Sequence, residues 1–162
     1  MSRRPAIILD MDETLLHTRE GRNGELVFPS VPRPGLVRTL NILEKLGDLY
    51  VLSAGTPDYI PDALRSVRLG SRFAGKAWSS RVPLNLQREL GLQGRRWVLV
   101  DDTPCEHPRT RRKLDICGSR DRRRFVWISP FTGDRRDIAL AALPPLVALS
   151  LAVQPSPPRR GR

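Results

Sequence analysis

A chain of 162 residues with two cysteines and a formal net charge of +11 is long enough for one domain that buries most of its apolar surface without covalent staples. Cys105 and Cys117 lie in arginine-rich surroundings without Cys-x-x-Cys spacing, and no secretory signal precedes the first apolar run, so a disulfide scaffold is not expected. The run from Ile138 to Val153 is too short to span a bilayer and is broken by Pro144-Pro145. A soluble, cytoplasmic protein with no membrane partner is the expectation.

The first element is an apolar strand over Ala6 to Asp10, running into Met11-Asp12-Glu13-Thr14. Burying one ionised carboxylate costs several kcal/mol unless a cation or hydrogen bonds offset it, and a core strand gains nothing from two. A divalent-cation site explains the pair. Asp10 and Asp12 share a side only if the strand continues unbroken. If the chain turns after Asp10, the Asp10 carboxylate and the Asp12 main-chain carbonyl can face one Mg²⁺, leaving the Asp12 side chain free for proton transfer.

Only about twenty residues separate this motif from Arg33, enough for a turn and a small hairpin around Glu25 to Phe28 and too few for a large cap domain. Apolar residues at Leu36, Leu40, Leu43 and Leu46 predict a helix over 36–46. A strand over Asp48 to Ser53 and helices over 58–67 and 84–90 follow. The next strand, Trp97 to Asp101, also ends in acids, Asp101-Asp102-Thr103-Pro104. A strand over Phe125 to Ile128 and a helix over 137–151 close the series. Strands alternating with helices predict a parallel sheet covered on both faces, in which acids ending two separate strands converge at the carboxyl edge. Trp78, Trp97 and Trp127 are read as packing residues. Residues 1–153 form the expected domain, and 154–162, rich in proline and arginine, a disordered basic tail.

The ordered motifs resemble the haloacid dehalogenase superfamily. Ile7-Ile8-Leu9-Asp10-Met11-Asp12-Glu13-Thr14-Leu15-Leu16-His17 is most similar to the branch of small C-terminal-domain and NLI-interacting-factor-like phosphatases. Arg33-Pro34-Gly35, Val51-Leu52-Ser53-Ala54, Tyr59 and the segment from Glu89 to Pro104 match further motifs in order, and Phe125 to Leu149 resembles the closing strand and helix. The resemblance implies a three-layer Rossmann-like α/β fold without a large cap. It also implies a Mg²⁺-dependent phosphomonoester hydrolase working through an aspartyl phosphate. Asp10 would be the nucleophile, Asp12 the general acid and base, and Thr14 the residue that fixes the turn and holds Asp12. Ser53 would bond the phosphate, and Asp10, Asp12, Asp101 and Asp102 would form the metal shell.

The family's pocket lysine is missing, since the comparable stretch reads Pro83-Leu84-Asn85-Leu86. Arg81 is the nearest replacement and Lys76 the next, a guanidinium being well suited to pair with phosphate. The sequence holds only three lysines, Lys45, Lys76 and Lys113. Its arginines crowd at Arg109, Arg111 and Arg112, at Arg120 and Arg122 to Arg124, and in the tail. Such bias can reflect solvated faces alone, or the loop from Cys105 to Arg124 could form a basic rim that draws a phosphoprotein or nucleic-acid substrate toward the acids. A phosphoprotein is the favoured substrate by resemblance. Nucleic-acid terminal phosphates, small phosphorylated metabolites and a non-catalytic binding module are the alternatives. Oligomeric state is not readable from the sequence.

Overall fold

The computed structural model describes residues 3–56, 58–78, 86–104 and 120–155. Its centre is β1 (Ala6–Asp10), in which Ile7 and Leu9 face one side of the sheet and Ala6 and Ile8 the other, all fully buried. A strand buried on both faces has no room for an alternating polar pattern, which is why it reads as a continuous apolar run. β4 (Asp48–Ser53) and β6 (Trp97–Asp101) pair with β1 in parallel on either side. β5 (Gly75–Trp78) and β7 (Phe125–Trp127) complete the order β5-β4-β1-β6-β7.

The chain runs outward from β1 to β4 and β5, then returns across β1 to β6 and β7. That reversal puts the topological switch beside β1, with the ends of β1 and β6 at its mouth. The larger core lies on one face, where α1 (Leu36–Leu46), α2 (Tyr59–Ser66) and α4 (Ala139–Ala152) contribute Leu40, Leu43, Ile60, Leu64, Leu140 and Val147. The opposite face carries Ile8, Tyr50, Leu52, Trp97 and Leu99 against Leu90 and Leu92, just after α3 (Leu86–Glu89). The molecule is a three-layer, Rossmann-like α/β fold.

Between β1 and α1 lies only an antiparallel hairpin, β2 (Leu16–Glu20) and β3 (Leu26–Pro32), so there is no large cap. This hairpin is longer than the sequence suggests, because β3 mixes Pro29 and Ser30 with exposed Leu26, Val27 and Phe28 and so lacks a strand's alternation. β5 is the one strand not anticipated, its four residues beginning with Gly75, whose bare Cα leaves room for the Tyr50 ring. The fold also extends past the expected boundary at 153. Gln154 is buried, and its amide bonds both the N–H and the carbonyl of Trp97.

Two packing solutions shape the layers. Pro144 and Pro145 sit inside α4 and remove amide donors from its second turn. The Thr39 hydroxyl of α1 donates to the Leu140 carbonyl, 3.2 Å away, which Pro144 leaves without its helical partner. Arg33 is the larger case, with a fully buried side chain. Its Nε and Nη2 each donate to an Asp137 carboxylate oxygen at 2.9 Å. Nη1 donates to the Thr14 carbonyl at 3.1 Å and Nη2 to that of Ser129 at 2.7 Å, while the guanidinium lies 5.5 Å from the centre of the Phe131 ring. Among the described residues, no helix is long and apolar enough to cross a membrane.

The Arg33 hydrogen bonds hold the Asp137 carboxyl below the usual carboxylate range. Its contribution to stability is therefore complete above the unfolded pKa and is lost as pH falls through the lower folded value. Asp137→Asn, which leaves a buried cation without its counter-charge, should cost roughly 3 kcal/mol at neutral pH. In urea unfolding, the gap to wild type should narrow below about pH 4; a gap independent of pH would remove the ion pair from the explanation.

Candidate active site

The turn after β1 decides where the acids point. The Leu15 and Leu16 amides both donate to the Met11 carbonyl, the Glu13 amide donates to the Leu16 carbonyl, and Glu13 takes φ 60. A non-glycine residue at positive φ is uncommon and marks a tightly held backbone. The strand therefore ends at Asp10, and Asp10 and Asp12 diverge.

Asp10 stays in the crevice with Asp101 and Asp102 from the end of β6, one carboxylate oxygen from each lying within 4.8 Å of the others. Asp101 is buried and accepts the Thr103 amide at 2.8 Å. Asp102 is fixed from three directions. Its amide donates to the Thr14 hydroxyl at 3.1 Å, its carboxylate lies 3.3 Å from the same hydroxyl, and its carbonyl accepts the Trp127 indole N–H at 2.8 Å. Thr14 is fully buried and spans the gap from the β1 turn to the β6 end.

Desolvation in the crevice, followed by the charges of Asp101, Asp102 and Asp12, pushes the Asp10 carboxyl well above its ordinary pKa, with the Thr14 hydroxyl opposing. Asp102 is also pushed up, chiefly by burial. Three carboxylates crowded at one crevice are what a divalent cation with a preference for oxygen ligands relieves, so the donor set fits Mg²⁺. Among the described residues, no cationic side chain pairs with Asp10.

Asp12 stands apart from this trio. Its Oδ2 accepts the Ser53 hydroxyl at 2.7 Å and its Oδ1 the Tyr59 hydroxyl at 2.5 Å. Thr14 was expected to hold Asp12 and instead engages Asp102; the hold on Asp12 comes from Ser53 and Tyr59. Of the four acids expected around a metal, the structure groups the side chains of Asp10, Asp101 and Asp102 and places the Asp12 carboxylate elsewhere. Arg81, the basic patch at 109–113 and the Cys105-Glu106-His107 segment lie outside the described residues.

Two expectations change with the geometry. Trp127 is about half exposed and tied to Asp102, so it borders the site and is not a packing residue of the core. Arg124, for which a solvated face and a basic rim were the open readings, has its guanidinium 5.1 Å from the centre of the Trp97 ring, at the amino end of β6 and away from the acids. Attraction of the guanidinium to the aromatic face accounts for that position. The sequence offered no sign of the Tyr59 contact beyond the residue's place in the motif order.

The model of the NLI interacting factor-like phosphatase family matches residues 5–156, nearly the whole fold described above. The chain belongs to that family. Among solved structures, this family member is similar to Fcp1, an essential RNA polymerase II CTD phosphatase, with a TM-score of 0.55 at 17% identity over 79% of this chain and 42% of that one. A variant of fission yeast Fcp1 bound to beryllium fluoride gives 0.54 at 17% identity, over 93% and 51% of the two chains. A haloacid dehalogenase-like hydrolase from Xanthomonas campestris gives 0.57 at 10% identity, over 93% and 99%. At such identities the likeness is one of fold, and this chain spans about half the length of the Fcp1 chains it matches. No curated protein matches this NLI interacting factor-like sequence.

Because the folded Asp10 binds its proton more tightly than the unfolded chain does, metal-free stability should fall as pH rises from the unfolded pKa toward the folded one. At neutral pH, Asp10→Asn should therefore stabilise the metal-free protein, by about 1–2 kcal/mol. Millimolar Mg²⁺ should raise the melting temperature of the wild type, and the same change should remove that rise. Calorimetry with chelator and with Mg²⁺ checks both signs, and a wild type indifferent to Mg²⁺ would argue against the site.

Proposed function

We propose that the protein is a Mg²⁺-dependent phosphomonoester hydrolase that works through an aspartyl phosphate on Asp10. The observation that carries the proposal is the separation of the two motif acids, with Asp10 grouped with Asp101 and Asp102 and the Asp12 carboxylate accepting the Ser53 and Tyr59 hydroxyls. One carboxylate would face a metal and the other would be free to exchange a proton, which are the two roles such a hydrolysis divides between them.

Asp10, Asp101 and Asp102 would hold the cation, with the Asp12 main-chain carbonyl as a further oxygen ligand. When bound, it supplies Lewis-acid screening between an attacking carboxylate and an anionic phosphate. In the first step, an Asp10 oxygen bonds to phosphorus, the ester P–O bond breaks, and Asp12 gives its proton to the departing oxygen. In the second, Asp12 takes a proton from water as that water's oxygen bonds to phosphorus and Asp10 is released. Ser53, buried at the end of β4 with its hydroxyl on Asp12, is proposed to turn to a phosphate oxygen, and Thr14 to keep the two acid-bearing strands in register.

Arg81 is retained as the proposed second cation, because phosphoryl charge spreads over three equatorial oxygens and one metal does not reach them all. A phosphoprotein is the preferred substrate. Its support is that a single two-stranded hairpin, with no large cap, joins β1 to α1, together with the description of the Fcp1 relatives as CTD phosphatases. A cytoplasmic location belongs to the same proposal.

Turnover of an aryl phosphate, followed by a panel of phosphopeptides, 3′-phosphorylated oligonucleotides and sugar phosphates, tests the reaction and then the substrate class. Asp10→Asn should abolish turnover and the covalent intermediate. Asp12→Asn should slow both steps about a hundredfold or more, the usual scale of acid–base loss. Near-normal activity in both variants would refute the mechanism.

Replacing Arg81 by alanine should raise the barrier by about 2–4 kcal/mol, as loss of one preorganised donor does, while Lys76→Ala should change little. Kinetics of the two variants side by side decide the assignment, and a larger effect at Lys76 would transfer the role to it.

A further inference from the structure

The Asp12 carboxylate sits at the end of a line of hydroxyls that the proposed chemistry does not itself use. Tyr59 Oη lies 2.5 Å from Asp12 Oδ1 and 2.7 Å from Thr18 Oγ1, and Thr18 Oγ1 lies 2.7 Å from Ser30 Oγ. A hydroxyl has one proton to donate, whereas an ionised carboxylate only accepts. The direction of the line is therefore fixed from the Asp12 end. Tyr59 donates to Asp12, Thr18 to Tyr59 and Ser30 to Thr18.

The three hydroxyls come from separate elements. Tyr59 opens α2, Thr18 belongs to β2 and Ser30 to β3. The β2–β3 register shifts between His17 and Arg19, where two residue steps on β2 are matched by four on β3, from Val31 to Val27. Such irregularities re-aim side chains, and here the affected residues include Thr18 and Ser30. The Ser30 amide also donates to the Ser66 hydroxyl at the far end of α2, and the Phe28 ring lies 6.2 Å from that of Tyr59. The hairpin is thereby held to both ends of α2, and the phenol oxygen has little freedom to turn.

Ser53 supplies the other hydrogen bond to Asp12, and the proposed function turns that hydroxyl toward phosphate. When it turns, Tyr59 is the remaining hydroxyl on the Asp12 carboxylate.

We infer that Tyr59, oriented by Thr18 and Ser30, is a positioning residue that aims the Asp12 carboxylate at the leaving oxygen, and that the β2–β3 hairpin serves the reaction through this line. The inference rests on the phosphatase reading above. Tyr59 is not among the acids grouped for the metal and acts through Asp12. Its hydroxyl oxygen also keeps a lone pair, so it can stay bonded while Asp12 cycles between protonated and ionised forms, which a lysine or arginine in its place could not do.

The test measures steady-state kinetics of Tyr59→Phe, Thr18→Val, Thr18→Ser and the Tyr59→Phe/Thr18→Val double variant, with a crystal structure of Tyr59→Phe. Tyr59→Phe keeps the ring contact with Phe28 and should lower kcat about tenfold with KM within about twofold, a loss confined to the reacting state. Thr18→Val should lower kcat several-fold, Thr18→Ser should restore it, and the double variant should be no worse than Tyr59→Phe alone, since Thr18 acts through the phenol. In the crystal structure, Asp12 should leave its present orientation. Additive losses, an unchanged kcat, or an Asp12 carboxylate that stays in place without the phenol hydroxyl would each overturn the inference. Wild-type turnover that is abolished in Asp10→Asn, together with a fully active Tyr59→Phe, would reject the positioning role and leave the phosphatase reading standing. If the wild type shows no turnover, that reading fails, and the position of Asp12 in the Tyr59→Phe crystal structure still decides whether the phenol orients it.

Discussion

The Arg33 guanidinium is the constraint on which the acid-bearing turn depends. A buried arginine is tolerated only when its donors are used, and here they reach the Asp137 carboxylate, the Ser129 carbonyl and the Thr14 carbonyl at once. The Arg33 amide also donates to the Leu15 carbonyl at 2.9 Å. The segment from Thr14 to Leu15 thus hangs on one residue at the threshold of α1. With that anchor in place, the chain leaves β1 abruptly, Glu13 accepts a left-handed backbone, and the carboxylates of Asp10 and Asp12 go to different neighbours. Without it, the strand could run on and bring both acids to one side.

Electrostatics and hydrogen bonding are partitioned accordingly. The trio of Asp10, Asp101 and Asp102 is under-compensated among the described residues, and its mutual repulsion is held in check by the Thr14 hydroxyl and the Thr103 amide. Asp12 receives a hydroxyl on each oxygen. The acid grouped with other carboxylates and the acid held by hydroxyls are thus only two residues apart in sequence. What separates them is backbone direction, since the side chains are identical.

Much of this was legible in the residues. Apolar runs ending in acids marked β1 and β6, the spacing of Leu36, Leu40 and Leu43 marked α1, and the motif order suggested the family. The failures have physical causes. β5 is short and opens with Gly75, which carries no pattern. β3 exposes apolar side chains on a two-stranded hairpin, so its periodicity is hidden. Trp127 is read from sequence as a packing residue because aromatic residues usually go to the core, yet its indole N–H bonds the Asp102 carbonyl beside the site, and the ring stays half in water. Arg33, Thr18 and Ser30 act through partners distant in sequence, and no single-residue rule predicts a partner. Thr14 was tied to the wrong acid for the same reason, because the nearer one in sequence lies across the turn.

The sheet order has a consequence for how the chain reaches this state. β1 lies at the centre of the sheet, and its neighbour β6 begins roughly ninety residues later. Thr14 and Asp102, which bond across the crevice, are 88 residues apart. Closing so long a loop is entropically slow, and until it closes, one hydrogen-bonding edge of the apolar central strand stays open. The interval between β1–β4 pairing and β6 docking is thus when the chain is most exposed to pairing with other copies of itself. The carboxylates at the end of β1 would then act as gatekeepers, since like charges at a strand end discourage the edge-to-edge contact that the apolar run invites.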